Sequence, residues 1–281
     1  MRIEKLTPAI GAVLHDVDIA APDHEALYQA LLEHLVIFIR GTEISPRAHL
    51  GFAQGFGDLS PPHPVYPHVE GHPQIMRLAN GSGSPPDTNS WHTDLTFKAE
   101  QPFASVLVAR TVPDCGGDTI WSSNYAAYDR LPDGMRRDLE ALEAVHDMGD
   151  FRNNFAEGGD PADRDTSLIE GMARMGQVVK PLIGAHPVTG AKFLNYNVAF
   201  VSHILGLTTE ASNALKTWLT GHMNQPEDQV RWRWRPGDLA MWDNRVTMHY
   251  AVADYLPAPR EMHRITVIRD RREGSAARAA E

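Results

Sequence analysis

Cysteine is nearly absent from this chain. Cys115 is the one thiol among 281 residues, so no intrachain disulfide can form and the chain suits a reducing compartment. Cys115 lies in the turn-like stretch PDCGGDT and is read as structural rather than as a reactive thiol. Long apolar runs are also missing. No stretch approaches the ~18 apolar residues of a membrane span, and the opening MRIEKLTPAIGAVL has no uninterrupted apolar segment and does not look like a signal peptide. A cytoplasmic protein that binds no membrane is expected. Positive charge is in short supply. Lys and Arg number 26 against 36 Asp and Glu, a formal net charge of -10, which disfavours binding nucleic acid through the overall field. A local basic pocket for a small anion remains open. There is no repeat, heptad run or low-complexity linker, and no G-x-G-x-x-G or P-loop follows a strand. A nucleotide-binding α/β fold therefore has no motif behind it.

What is present reads as helices first and many short strands after. HEALYQALLEHL (24–35) has apolar residues at helical spacing behind a candidate N-cap, Asp23. VIFIR (36–40) reads as a buried strand closed by Gly41, and SPRAHLGFAQGFG (45–57) as a helix capped by Ser45 with Pro46 in its first turn. Residues 60–90 are rich in Pro, Gly, Ser and His and read as mostly loop. Strands are predicted at 92–97, 103–111 and 118–122. Residues 124–180 are polar and helix-leaning, with 157–167 the expected mobile loop. Short strands then occur in KPLIGAHP, KFLNYN, QVRWRWRPGDLAMWDN and HRITVIRD, interrupted by a helix at about 209–222. This order predicts a mainly β fold with flanking helices, a sandwich or jelly roll. In RWRWR (231–235) the arginines share one strand face and the tryptophans the other. Such a stripe could stack on single-stranded nucleic acid. On an acidic protein it reads better as an amphipathic strand with tryptophans in the core.

The stretch NSWHTDLTF (89–97) sets His92 and Asp94 two apart, where a strand would point both to one side. His249, 157 residues further on, supplies a third candidate ligand. Two imidazoles and one carboxylate on one face of an iron leave three positions open, the facial triad of non-haem Fe(II) oxygenases. The same donors also suit zinc, so a zinc hydrolase stays open, as does a binding or scaffold protein. His63, His68 and His72 form a denser cluster in HPVYPHVEGH, but no carboxylate stands at strand spacing from them. Arg260 and Arg264 follow His249. Arginine's planar fork takes a carboxylate or sulfonate through two parallel hydrogen bonds, whereas the plainer reading pairs them with Glu261 or Asp270.

WHTDLTF, GGDTIW and WDNRVTMHYAVADYLPAPREMHR together resemble the Fe(II)/2-oxoglutarate-dependent dioxygenases of the taurine dioxygenase group, and HPVYPH and VRWRWRPGDLAMWDN add to the likeness. It runs from about residue 6 to 270. The resemblance implies a double-stranded β-helix, a cupin-like jelly roll, with residues 1–281 as one domain and 124–180 as a helical and loop insertion covering the active site. It implies His92, Asp94 and His249 as iron ligands, with 2-oxoglutarate and O2 as cosubstrates. Thr119 and Arg260 would hold the distal carboxylate of 2-oxoglutarate, and Arg264 the sulfonate of the substrate. His63, Tyr66, Thr88, Phe151 and Phe200 would line the substrate site. The implied reaction hydroxylates the carbon next to the sulfonate of taurine, giving sulfite and aminoacetaldehyde with succinate and CO2. Asp94 directs this to hydroxylation, because a halogenase needs the carboxylate position free for halide. The implied assembly is a homodimer or homotetramer. One departure bears on the substrate: taurine enzymes carry an asparagine four residues before the first metal histidine, and this chain has Thr88 there, followed by Asn89. Other anions, an alkyl sulfate, another alkanesulfonate or an aryloxyalkanoate, are the alternatives.

Overall fold

The structure, a computed structural model, describes residues 1–41, 43–63, 66–83, 86, 90–148 and 176–273. Strands β1 (Arg2–Lys5) and β2 (Ala12–His15) pair antiparallel and lead into helix α1 (His24–His34). The Asp23 carboxylate accepts from Ala26 N, satisfying one of the orphan donors of the first turn. Strand β3 (Val36–Ile39) is buried throughout, and α2 (Pro46–Gln54) starts behind Ser45, whose hydroxyl accepts from Ala48 N. There follow β4 (Gly57–Leu59), β5 (His68–Val69), β6 (His72–Asn80), β7 (Ala104–Thr111) and β8 (Thr119–Ser123). Next come α3 (Asn124–Asp129), α4 (Asp133–Glu140), β9 (Glu143–His146), β10 (Val178–Pro181), β11 (Ile183–Ala185), β12 (Lys192–Leu194) and β13 (Val201–Ile204). The chain closes with α5 (Thr209–Met223), β14 (Gln229–Trp232), β15 (Leu239–Asp243), β16 (Thr247–Ala251) and β17 (Arg260–Asp270).

The larger sheet runs β1-β2-β3-β15-β7-β17-β6-β5, with β4 also on β17, and a smaller sheet runs β14-β8-β16. Side-chain alternation along the strands decides what each face covers. Leu239 and Met241 of β15, with Val106 and Val108 of β7, pack against Leu27 and Leu31 of α1 and Phe52 of α2. The alternate residues Ala240, Trp242 and Leu107 face the smaller sheet, where Trp121, Val230 and Trp232 close a second core. Phe38 stacks on Trp232 at 4.1 Å and meets Trp121 edge-on at 5.4 Å. Removing such a buried ring costs about 3–5 kcal/mol, so Phe38 is one of the side chains that hold the two sheets together. A third core joins α3, α4 and α5 to β9, β12 and β13 through Ala127, Leu139, Ala144, Leu194, Ile204 and Leu219.

Most expected elements are present, and RWRWR has its tryptophans buried and its arginines exposed, Arg231 pairing with Asp118 at 2.6 Å. Two expectations need correction. Residues 60–90 are not all loop, because His72–Asn80 forms a nine-residue strand against β17, with Met76 opposite Arg264 and Leu78 opposite Met262. Residues 92–97 are not a strand: His92 makes one isolated antiparallel bridge to His249, and the chain then turns through Leu95 at φ 54°. Within 124–180, the described residues hold α3 and α4 up to Glu140 and then strands β9 and β10. The expected loop at 157–167 lies outside the described residues. Among the described residues no helix is long and apolar enough to cross a membrane.

Candidate active site

His92, Asp94 and His249 converge although their local setting is not the one expected. β16 presents His249 from the smaller sheet, and the backbone bridge between His249 and His92 is reciprocal, N to O at 3.0 and 2.8 Å. This fixes the two imidazoles with ring centroids 4.1 Å apart. Asp94 is brought round by the turn, its Oδ1 lying 3.7 Å from His92 Nε2 and 3.9 Å from His249 Nε2. One donor atom from each residue lies within 4.8 Å of the others, and all three side chains are buried. Among the described residues this is the one such group of three, so His63, His68 and His72 do not form a second.

Asn244, at the end of the WDN run, holds the turn. Its Oδ1 accepts from Asp94 N at 2.9 Å, and its Nδ2 donates to Asp94 O at 3.0 Å and Pro102 O at 3.1 Å. Gln101 Nε2 donates to the Asn244 carbonyl, and Lys180 Nζ donates to Gln101 Oε1 at 2.7 Å. Thr93 Oγ1 donates to Thr247 O, and Asn197 Nδ2 reaches Thr93 O and Thr96 Oγ1. The ligand turn is therefore held by the side chains of two later segments, Asn244 and Asn197, rather than by a strand ladder. The flanking Asp243 is likewise committed, to Arg245 and His186. The sequence reading placed WDN at the end of a strand run and within the family resemblance, and assigned Asn244 nothing. Its signal was a lone amide between two charged residues, five positions before His249.

The donor set suits a divalent ion. His92 Nδ1 faces the Ser90 carbonyl at 2.8 Å, which places its proton there and leaves the Nε2 lone pair facing the group. Burial, reinforced by His92, pushes His249 down to about 3, so its imidazole is neutral. Burial alone would raise Asp94, but Arg264 above all, then His249 and His92, hold the carboxylate well below its usual range. Two buried imidazoles and one carboxylate anion are a donor set that suits iron or another borderline divalent metal.

Even-numbered residues of β17 face the same space. Arg260, Met262 and Arg264 line a cavity of about 760 Å³ together with His92, Asp94, His249 and Thr119. Arg260 is buried, donating through Nε to Gly117 O at 3.0 Å and reaching Thr119 Oγ1 through Nη2 at 3.5 Å. Thr119 Oγ1 also accepts from Trp234 Nε1 at 3.0 Å. Arg264 Nη1 lies 3.3 and 3.4 Å from the two Asp94 oxygens, and Ser105 Oγ donates to Asp94 Oδ2 at 3.2 Å. Neither arginine is a surface residue paired with Glu261 or Asp270. Those carboxylates bind Arg77 and Arg245 on other faces. His63 and Tyr66 line the cavity with ring centroids 4.9 Å apart, and burial followed by Arg264 pushes the His63 imidazole down to about 4. Phe200 lines it from the far side, 5.0 Å from Phe97, and Met148 packs with both. Thr88 and Phe151 lie outside the described residues.

Residues 2–266 match the family described as "Taurine catabolism dioxygenase TauD, TfdA family". Over 263 residues the chain is 37% identical to an alpha-ketoglutarate-dependent sulfate ester dioxygenase of Pseudomonas putida, covering 92% of this chain and 86% of that protein. It is 34% identical over 283 residues to an alkylsulfatase of Acinetobacter baylyi, covering 95% and 84%. Among solved structures it is similar to a putative alpha-ketoglutarate-dependent taurine dioxygenase from Burkholderia xenovorans, with a TM-score of 0.81, 30% identity and coverage of 96% of this chain and 93% of that one.

Proposed function

The chain belongs to the taurine catabolism dioxygenase TauD, TfdA family, and from that premise we propose that it is an Fe(II)- and 2-oxoglutarate-dependent dioxygenase acting on a small organic anion with a sulfo head group. The observation that carries this reading is the buried His92–Asp94–His249 group with one guanidinium on each side, Arg260 beside Thr119 and Arg264 against Asp94. The two facing sheets support a double-stranded β-helix, and 124–180 is read as cover for the site because Met148 packs with Phe97 and Phe200.

On this reading His92, Asp94 and His249 hold Fe(II). Bound there, Fe(II) supplies the oxidation: O2 and 2-oxoglutarate are consumed, succinate and CO2 leave, and one oxygen atom goes to a substrate C–H. The chain's own groups orient the reactants. Arg260 clamps the distal carboxylate of 2-oxoglutarate through its fork, and the Thr119 hydroxyl, held by Trp234, completes that contact. Arg264 receives the sulfo group of the substrate and so holds the neighbouring carbon towards the metal. Tyr66, His63, Phe97 and Phe200 exclude water around it. The hydroxylated carbon then releases its head group: a sulfonate yields an aldehyde and sulfite, a sulfate ester an aldehyde and sulfate. Taurine would give aminoacetaldehyde. The sulfate ester activities of the Pseudomonas and Acinetobacter relatives support an ester at least as well. A zinc hydrolase would leave Arg260 and Thr119 without a use.

The test is succinate formation by purified protein with Fe(II), ascorbate, 2-oxoglutarate and air, offered taurine, hexanesulfonate and hexyl sulfate in turn, with sulfite and sulfate followed in parallel. Succinate matched by one of these products, and lost in His92→Ala, is expected. No succinate with any anion sinks the reading.

A further inference from the structure

Among the described residues, the substrate side of the cavity carries a second cation with no counter-charge. Lys98 follows the ligand turn, its backbone N–H donating to Leu95 O at 3.0 Å, and its side chain lines the cavity next to Phe97. Among the described residues its ammonium makes no hydrogen bond or ion pair, and burial alone lowers its pKa. The fields of Arg264 and Lys98 overlap at His63, where both disfavour a protonated ring. Carboxylates are scarce by comparison. Of the described cavity-lining residues only Asp94 and Glu100 are acidic. Asp94 belongs to the ligand group, and Glu100 is exposed and taken by Arg269 at 2.6 Å. The remaining walls are largely apolar, including Met76, Leu78, Phe200 and Ile268.

A zwitterion such as taurine would bring an ammonium group into this space. Among the described residues it would meet two cations and no free carboxylate, and a buried unpaired charge is strongly disfavoured. A monoanion with an apolar body meets none of these costs, and Lys98 adds attraction to its head group. We infer that Lys98 is a specificity-determining residue which, with Arg264, restricts the cavity to sulfo-anions carrying no ammonium group. This rests on the function proposed above, since it assumes that the Arg264 side of the cavity holds the substrate.

Taurine and 1-propanesulfonate test it, because they are nearly isosteric and differ in an ammonium against a methyl. Each is titrated by calorimetry into protein loaded with Mn(II) and 2-oxoglutarate under nitrogen, for the wild type, Lys98→Met and Lys98→Glu. The wild type should bind propanesulfonate at least about tenfold more tightly, roughly 1.4 kcal/mol. Lys98→Met should shrink that ratio at least fivefold, and Lys98→Glu should bring it to unity or invert it. Lys98 has no side-chain partner to lose, so both variants should fold, and circular dichroism checks this. A ratio unchanged within twofold in both variants overturns the inference, as does wild-type protein that binds taurine equally well. Binding of neither anion overturns it together with the substrate assignment. If the ratio responds but Fe(II)-loaded protein makes no succinate with any sulfo-anion, the proposed reaction fails while Lys98 stands. If succinate forms and the ratio does not respond, Lys98 alone fails.

Discussion

Asn244→Ala isolates the device that holds the ligand turn. The side chain makes three buried hydrogen bonds, two of them to the backbone of Asp94 and one to Pro102 O. At about 1 kcal/mol net each, and with Asp94 N–H and two carbonyls left unpaired, the loss is about 3–4 kcal/mol. For a domain of this size that lowers the melting temperature by about 6–8 °C at roughly 2 °C per kcal/mol. Losing a group that orients a metal ligand typically costs 10–100-fold in metal affinity, and Asp94 loses both of its backbone anchors at once. Melting curves of metal-free protein and Mn(II) calorimetry read the two effects separately. Tyr28→Phe is the control. It removes a buried 2.5 Å bond to Asp270, on the helix-covered side of the larger sheet, so it should destabilise the protein without weakening Mn(II). If Asn244→Ala melts early yet binds Mn(II) within about twofold of wild type, the turn does not depend on this amide and the reasoning fails.

Further outcomes follow from the same contacts. Arg260→Gln should raise the KM for 2-oxoglutarate by about 10–100-fold, the worth of charge-assisted bonds, with the KM for substrate little changed. An unchanged 2-oxoglutarate KM would remove Arg260 from that role. Thr119→Val deprives Trp234 Nε1 and Arg260 of an acceptor, so melting should drop by the equivalent of about 1–2 kcal/mol and 2-oxoglutarate should bind more weakly. Burial holds His49 neutral, down to about 3 against an ordinary 6.5. The unfolded chain therefore takes up a proton first as pH falls. Stability is full above about 6.5 and lost progressively from there towards 3, by about 1.4 kcal/mol between pH 7.5 and 5.5 from this group. Chemical denaturation at those two pH values should show a smaller difference in His49→Gln than in wild type, and an equal difference would refute this. Zn(II), which outcompetes Fe(II) at such donors, should abolish succinate formation, with activity returning after chelation and Fe(II) addition. Activity sustained by Zn(II) would favour a hydrolase.

Legibility in the sequence followed locality. Asp23 and Ser45 marked their helices because a cap is a local event. The alternation in RWRWR was legible because its two faces meet different environments, tryptophans in the core and arginines in solvent. The three candidate ligands were picked out from their chemistry, but the backbone that carries them was misread. LTF after His92 favours a strand, and the turn through Leu95 exists because Asn244, 150 residues away in sequence, captures both sides of the Asp94 backbone. The strand His72–Asn80 was hidden in a region of loop-like composition, since its stability comes from pairing with β17 rather than from its own residues. Lys98 could not be singled out at all, because a lysine's isolation from counter-charges is a property of the assembled cavity.

Strand β17 also works as a ruler. Arg260 and Arg264 sit on one face of a single extended segment, so their separation is four strand rises, about 13 Å, and covalent geometry fixes it. Between them Met262 shares the face, while Glu261 and His263 engage Arg77 and Arg110 behind it. A one-residue slip would send both guanidiniums to the wrong side. On the proposed assignment, the span between the two anion anchors is therefore not something this scaffold can stretch. A change to a longer or bulkier substrate has to be absorbed by the walls that hang on turns, around Tyr66 and from Phe97 to Lys98, while the anchors stay where the strand puts them.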